Sequence, residues 1–157
     1  MKKALVIFPR LLLFFTFSFF LVRCSDDDQP QTTADLLLGN WMMTASIINP
    51  PIDFGTGPIS DIFEFYDDCK KDDIIVIKAN GVGDYNEGAT KCDAGDPQSE
   101  PFTWSLKSND KILTITETNG DSYDAEILLL DATTLKLKIT QDISGVSYTL
   151  TETYIRK

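Results

Sequence analysis

The hydrophobic positions of the chain change pattern twice. From Ala4 to Val22 they run almost unbroken, with Arg10, Thr16 and Ser18 as the polar exceptions. From Asp26 to Thr33 there is no apolar periodicity, and Pro30 interrupts the stretch, so it reads as a flexible tether. A domain opens at Leu36, and from there apolar and polar residues alternate in short runs separated by turn residues. Gly39 to Ile48 forms a first strand, with Trp41, Met43, Ala45 and Ile47 on one face. Asn49 to Pro58 carries three prolines and two glycines and reads as a loop. Ile59, Ile62, Phe63 and Tyr66 are spaced like one face of a short helix, although Phe65 fits an extended segment equally well.

Beyond Cys69 the pattern is a meander. Asp73 to Lys78 runs into the hairpin dipeptide Asn80-Gly81, and Val82 to Asn86 returns. A polar loop from Glu87 to Pro101 holds Cys92, Gly95 and Pro97. Phe102, Trp104 and Leu106 then alternate with polar neighbours, and Asn109-Asp110 leads into Lys111 to Glu117, with Leu113 and Ile115 facing inward. Asn119-Gly120 is a second hairpin signal, followed by Tyr123, Ala125, Ile127 and Leu129 on one face. Leu135, Leu137 and Ile139 oppose Lys136, Lys138 and Thr140, and after Asp142 to Gly145 a last strand runs through Val146, Tyr148 and Leu150 to about Ile155. Eight strands joined by tight turns pair antiparallel with their neighbours. The fold class expected is all-β, an eight-stranded antiparallel up-and-down β-barrel, with an open sandwich as the alternative.

Charge separates the first segment from the rest. Lys2 and Lys3 precede the apolar run, and its densest part, Leu11 to Val22, has 12 residues, against the roughly 20 of a membrane span. Residues 1–23 therefore read as an export signal, an uncleaved anchor over Ala4 to Val22 being the alternative. The chain from Cys24 onward carries 10 basic against 24 acidic residues, a net charge of −14. Such a surface repels nucleic acid and anionic lipid head groups. About 120 structured residues suffice for one core. Histidine is absent from the whole chain, which removes the commonest zinc ligand and the usual proton shuttle near neutral pH.

Three cysteines in an exported chain leave one over. The simplest account gives Cys24 a lipid and pairs Cys69 with Cys92 in an oxidising compartment; two reduced, buried thiols are the alternative for that pair. Leu21-Val22-Arg23-Cys24 resembles the lipobox of bacterial lipoproteins, with Arg23 where a small residue is usual. Ser25-Asp26-Asp27-Asp28 resembles the acidic tract that directs lipoproteins of Bacteroidetes-type bacteria to the outer face of the outer membrane. The expectation is a lipid-anchored protein of the outer membrane facing the cell exterior, with the periplasmic face as the alternative.

Gly39-Asn40-Trp41 at the start of the first strand resembles the Gly-X-Trp motif of lipocalins. With Cys69-Lys70-Lys71-Asp72-Asp73, Asn86 to Cys92 and Phe102-Thr103-Trp104, residues 36–157 resemble the lipocalin-like domain of Bacteroidetes-type lipoproteins. The resemblance implies that Trp41 plugs one end of the barrel beneath a basic residue, Arg156 or Lys157. It also implies room for a small hydrophobic molecule. Candidate walls are Met43, Phe102, Trp104, Leu106, Ile127, Leu137, Tyr148 and Leu150, each of which serves equally well as ordinary core.

Catalysis has no support in the motifs: there is no histidine, no nucleophile elbow and no Gly-rich phosphate loop. Asp93, Asp96 and Glu100 share the long loop without the spacing of a calcium site, so no metal and no cofactor is expected. Two functions stay open, ligand carriage and a display or protein-interaction module with a filled barrel. A continuous cavity of about 300 Å³ or more separates them.

Overall fold

The computed structural model of the chain describes residues 30–157 other than Phe54 and Thr56. The expected signal segment, Cys24 and the tether as far as residue 29 lie outside the described residues.

Structure begins inside the stretch read as tether. Helix α1 (Thr33–Leu37) is one short turn fixed by a capping box: the Thr32 hydroxyl accepts the Asp35 N–H at 3.1 Å, and the Asp35 carboxylate accepts the Thr32 N–H at 3.0 Å. Two otherwise unpaired donors are satisfied this way, which lets five residues hold a helical shape. The helix delivers Leu37, fully buried, to the core.

Nine strands come next: β1 (Gly39–Asp53), β2 (Pro58–Asp61), β3 (Ile74–Lys78), β4 (Val82–Asn86), β5 (Ser99–Lys107), β6 (Ile112–Glu117), β7 (Ser122–Leu130), β8 (Thr134–Ile143) and β9 (Val146–Arg156). Each of β3 to β9 pairs antiparallel with its sheet neighbours. β1 closes the circle, pairing with β9 along one edge from Trp41↔Arg156 to Asn49↔Thr149, and with β3 along the other from Gly39↔Ile77 to Met42↔Ile74. Eight strands thus form a closed antiparallel barrel, and closure leaves no free edge in the circle. β2 stands outside it, on the second half of β1 where β3 has parted from that edge.

The turns follow their residues. Asn80 and Gly81 both take positive φ, 65° and 72°, the conformation a tight hairpin of this hand requires. Gly83 is buried because the Phe102 ring lies across it, and a Cβ there would collide with that ring. The core gathers Leu37, Trp41, Ile77, Phe102, Leu113 and Ile115 with Ala125 and the inward residues of β8.

Four local expectations change. β1 carries a bulge between Met43 and Ala45, which shifts its inward face by one residue. Ser46 and Ile48 are therefore buried, while Ile47 is exposed. A second bulge between Ile127 and Leu129 does the same in β7, turning Leu129 out and Leu130 in toward the core. The loop expected from Asn49 to Pro58 is strand as far as Asp53, and the helical spacing from Ile59 to Tyr66 resolves into β2 and a single 3-10 turn at Phe63–Phe65.

Candidate functional site

The two ends of the barrel differ in filling. At one end the Trp41 ring is fully buried, and its indole N–H donates to the Leu37 carbonyl at 2.7 Å. Arg156 lies over that ring, its guanidinium carbon 4.3 Å from the centroid. The same guanidinium donates to the carbonyls of Leu36 (2.6 Å), Leu38 (2.5 Å) and Ala132 (2.7 Å). One planar cation thus stacks on the tryptophan and ties α1 to the β7–β8 turn. Gly39, at φ 138°, gives it room, since a Cβ there would strike the guanidinium. Lys157 is exposed, and its backbone N–H bonds Asn40.

At the other end the barrel is hollow. A cavity of about 610 Å³ opens there, with Met43 of β1, Ile74 and Ile75 of β3, Ile139 of β8 and Leu150 of β9 on its apolar walls. A filled barrel would leave no such volume. Its polar lining comes from Tyr85 of β4, Tyr123 of β7, and Glu152 and Tyr154 of β9. The Tyr85 and Tyr123 hydroxyls lie 2.8 Å apart, and the Tyr154 hydroxyl donates to the Glu152 carboxylate at 2.6 Å. That length lies within the ordinary range of an O–H···O hydrogen bond. Burial raises the Glu152 pKa above the ordinary carboxylate value, partly offset by the Tyr154 hydrogen bond. Burial, and then the nearby Glu152 charge, holds the Tyr154 phenol protonated far past its usual range. Burial likewise raises Tyr85 and Tyr123.

The mouth is braced by a covalent link. Helix α2 (Asp68–Lys71) carries Cys69, bridged to Cys92 in the long loop with Cα atoms 5.2 Å apart. Lys70 pairs with Glu87 at 2.8 Å and Asp73 at 3.5 Å, and the Ala89 N–H donates to Asp72 at 2.9 Å. These contacts hold the loop against α2 beside the opening. Phe65, 64% exposed, stands at its edge.

The residues chosen from sequence divide between these regions. Met43 and Leu150 line the cavity. Phe102 and Leu137 are buried in the core, and Leu106 and Ile127 pack against it. Trp104 also packs there and donates its indole N–H to the Lys78 and Val82 carbonyls, both at 3.0 Å, capping the β3–β4 turn. Tyr148 is half-buried on β9 and does not border the cavity. Asp93, Asp96 and Glu100 are exposed, and among the described residues no group of three or more Cys, Asp or Glu side chains is placed to hold a metal ion. Sequence reasoning misses Glu152, Tyr154 and Tyr85 as site residues, and gives Tyr123 a strand face without choosing it for the site. The signal is present for the first two, because they continue the inward register of Tyr148 and Leu150 along β9.

A family model described as a lipocalin-like domain matches residues 37–137, from the last residue of α1 into β8. The chain belongs to the lipocalin-like domain family. No curated protein matches it closely enough to count as a relative. The lipocalin-like barrel is a binding fold rather than a catalytic one, and this one is capable of enclosing a small molecule. The match ends before β9, so Glu152 and Tyr154 lie beyond it.

Proposed function

We propose that this lipocalin-like chain is an exported, lipid-anchored protein that carries a small, largely apolar molecule in the hollow end of its barrel. The cavity of about 610 Å³ carries the reading. It falls within the range of sites that bury a small ligand, and apolar walls with a few convergent polar groups are what such sites use. Burial of the ligand's apolar surface drives binding, while the tyrosines and Glu152 orient it.

The anchoring half of the proposal rests on the chain's first residues. The basic start, the apolar run and Cys24 support export and acylation, and Ser25 to Asp28 supports display on the outer face of the outer membrane. Metabolic lipid labelling of the wild type and Cys24→Ser tests it: label present in the first and absent from the second is expected, and equal labelling contradicts an anchor at Cys24.

Native mass spectrometry tests carriage. The barrel, gently purified from its own host, is expected to show a reproducible added mass that is lost on denaturation. A bare mass in repeated preparations speaks for a display module instead.

A further inference from the structure

The charge balance of the cavity narrows the kind of molecule it takes. Four carboxylates line it, Asp67, Asp73, Glu87 and Glu152, against one ammonium, Lys70. That ammonium is already engaged by Glu87 and Asp73 at the mouth. Even so, one buried oxygen of Asp73 and one of Glu87 find no hydrogen-bond partner among the described residues. Deeper in, Glu152 faces Tyr154 on its own strand, Tyr85 and Tyr123 across the cavity, and Tyr66 from the segment before α2, which feels its charge. None of these groups is cationic. A carboxylate withdrawn from water among phenols requires a positive partner or a proton. The Tyr154 hydroxyl donates its one proton to Glu152 but brings the carboxylate no positive charge.

Resting on the carrier reading, we propose that the cavity selects an organic amine with an apolar tail, its ammonium group seated at Glu152 and its tail along Met43, Ile75, Ile139 and Leu150. The tyrosine hydroxyls accept hydrogen bonds from the ammonium, and the ring edges of the pocket shield the ion pair from water. The mouth carboxylates draw the cation in, and an anion of the same shape is repelled by all four. A bound ammonium removes the cost of holding Glu152 charged in a desolvated site, so the pair is worth more there than on the surface.

Three probes of equal length separate head group from tail: decylamine, decanol and decanoate, titrated calorimetrically at neutral pH and physiological salt into the chain from Ser25 onward. Every strand and both bridged cysteines lie within that span. Decylamine is expected to bind at least about tenfold tighter than decanol, and decanoate most weakly. Glu152→Gln is expected to abolish the preference for decylamine over decanol. The variant lowers the net negative charge by one unit only, so general attraction to an acidic surface would survive it. Decanol or decanoate binding as tightly as the amine overturns the inference and leaves carriage standing. Binding of none of the three overturns both. If the variant does not fold, the same three probes in high salt replace it: the preference for the amine is expected to persist there, and its loss would assign it to general surface attraction and overturn the inference.

Discussion

The plugged end and the hollow end of this barrel are made from the same alternating strands, yet they solve the problem of buried polarity in opposite ways. At the plug, Trp41 and Arg156 bring polar groups that find partners within the protein: one indole N–H on Leu37, and three guanidinium bonds to carbonyls. The cation sits on an aromatic face and has a carbonyl acceptor on each of its three nitrogens. At the hollow end, Glu152 has a phenol for company but no cation, and two mouth carboxylates each leave an oxygen without a partner among the described residues. One end is complete in itself and therefore structural. The other is incomplete in a way that a ligand can complete, and incompleteness of that kind marks a binding site more clearly than apolar surface does.

Breaking the plug gives the largest effect. Trp41→Ala is expected to destabilise the domain by roughly 3–5 kcal/mol, since it empties a fully buried site and strands the Arg156 guanidinium. Denaturant melts measure it, and a loss below about 1 kcal/mol would mean that the tryptophan is no plug. Next comes the brace at the mouth. Replacing Cys69 and Cys92 by serine is expected to cost about 3 kcal/mol, chiefly by freeing the unfolded chain, and to loosen the loop that carries Cys92. If the double variant melts with the wild type, the bridge contributes nothing to the contrast between the ends.

The smallest effect has the opposite sign. Ionised Glu152 destabilises the fold because its carboxyl pKa is raised by burial above the unfolded value of about 4.5. The penalty is absent below that value and reaches its full size as pH rises through the folded pKa. Glu152→Gln, which keeps an oxygen for Tyr154, is therefore expected to be more stable than the wild type at neutral pH and to lose this advantage as pH falls toward 4.5. Melts across that interval check it. A variant less stable than the wild type at neutral pH would show that the ligand-free protein already satisfies Glu152.

The plug is legible in the sequence because it rests on local rules. Gly39 opens a strand that carries the tryptophan two residues on, Asn80-Gly81 can hardly do other than turn, and Leu113 and Ile115 alternate with threonines on a half-buried strand. The faces of β1 beyond Met43 and of β7 beyond Ile127 are not legible. A bulge inserts one residue and inverts the pattern, and Ala45, Ile47, Leu129 and Leu130 are all apolar enough to fit either register. Helix α1 has a visible cap in Thr32 and Asp35, but five residues are too few for any periodicity to show. In the cavity, Met43 and Leu150 fall on the expected face, whereas Phe102 and Leu137 share that face at a depth where the barrel is full. Alternation reports which side of a strand a residue occupies, not how far along the barrel it sits. Glu152 escapes for the converse reason: a charged residue within a run of inward positions looks like a lapse in the pattern, when it marks the site.

The contrast between the ends is tested most directly by following the backbone amides and the tryptophan indoles of the nitrogen-15-labelled domain by NMR while decanol is added. The shifts are expected at Met43, Ile75, Tyr123 and Leu150, with the Trp41 indole and the Leu37 and Leu135 amides unmoved. Shifts centred on Trp41, or none at any concentration of probe that stays in solution, would contradict a barrel plugged at one end and open to a ligand at the other.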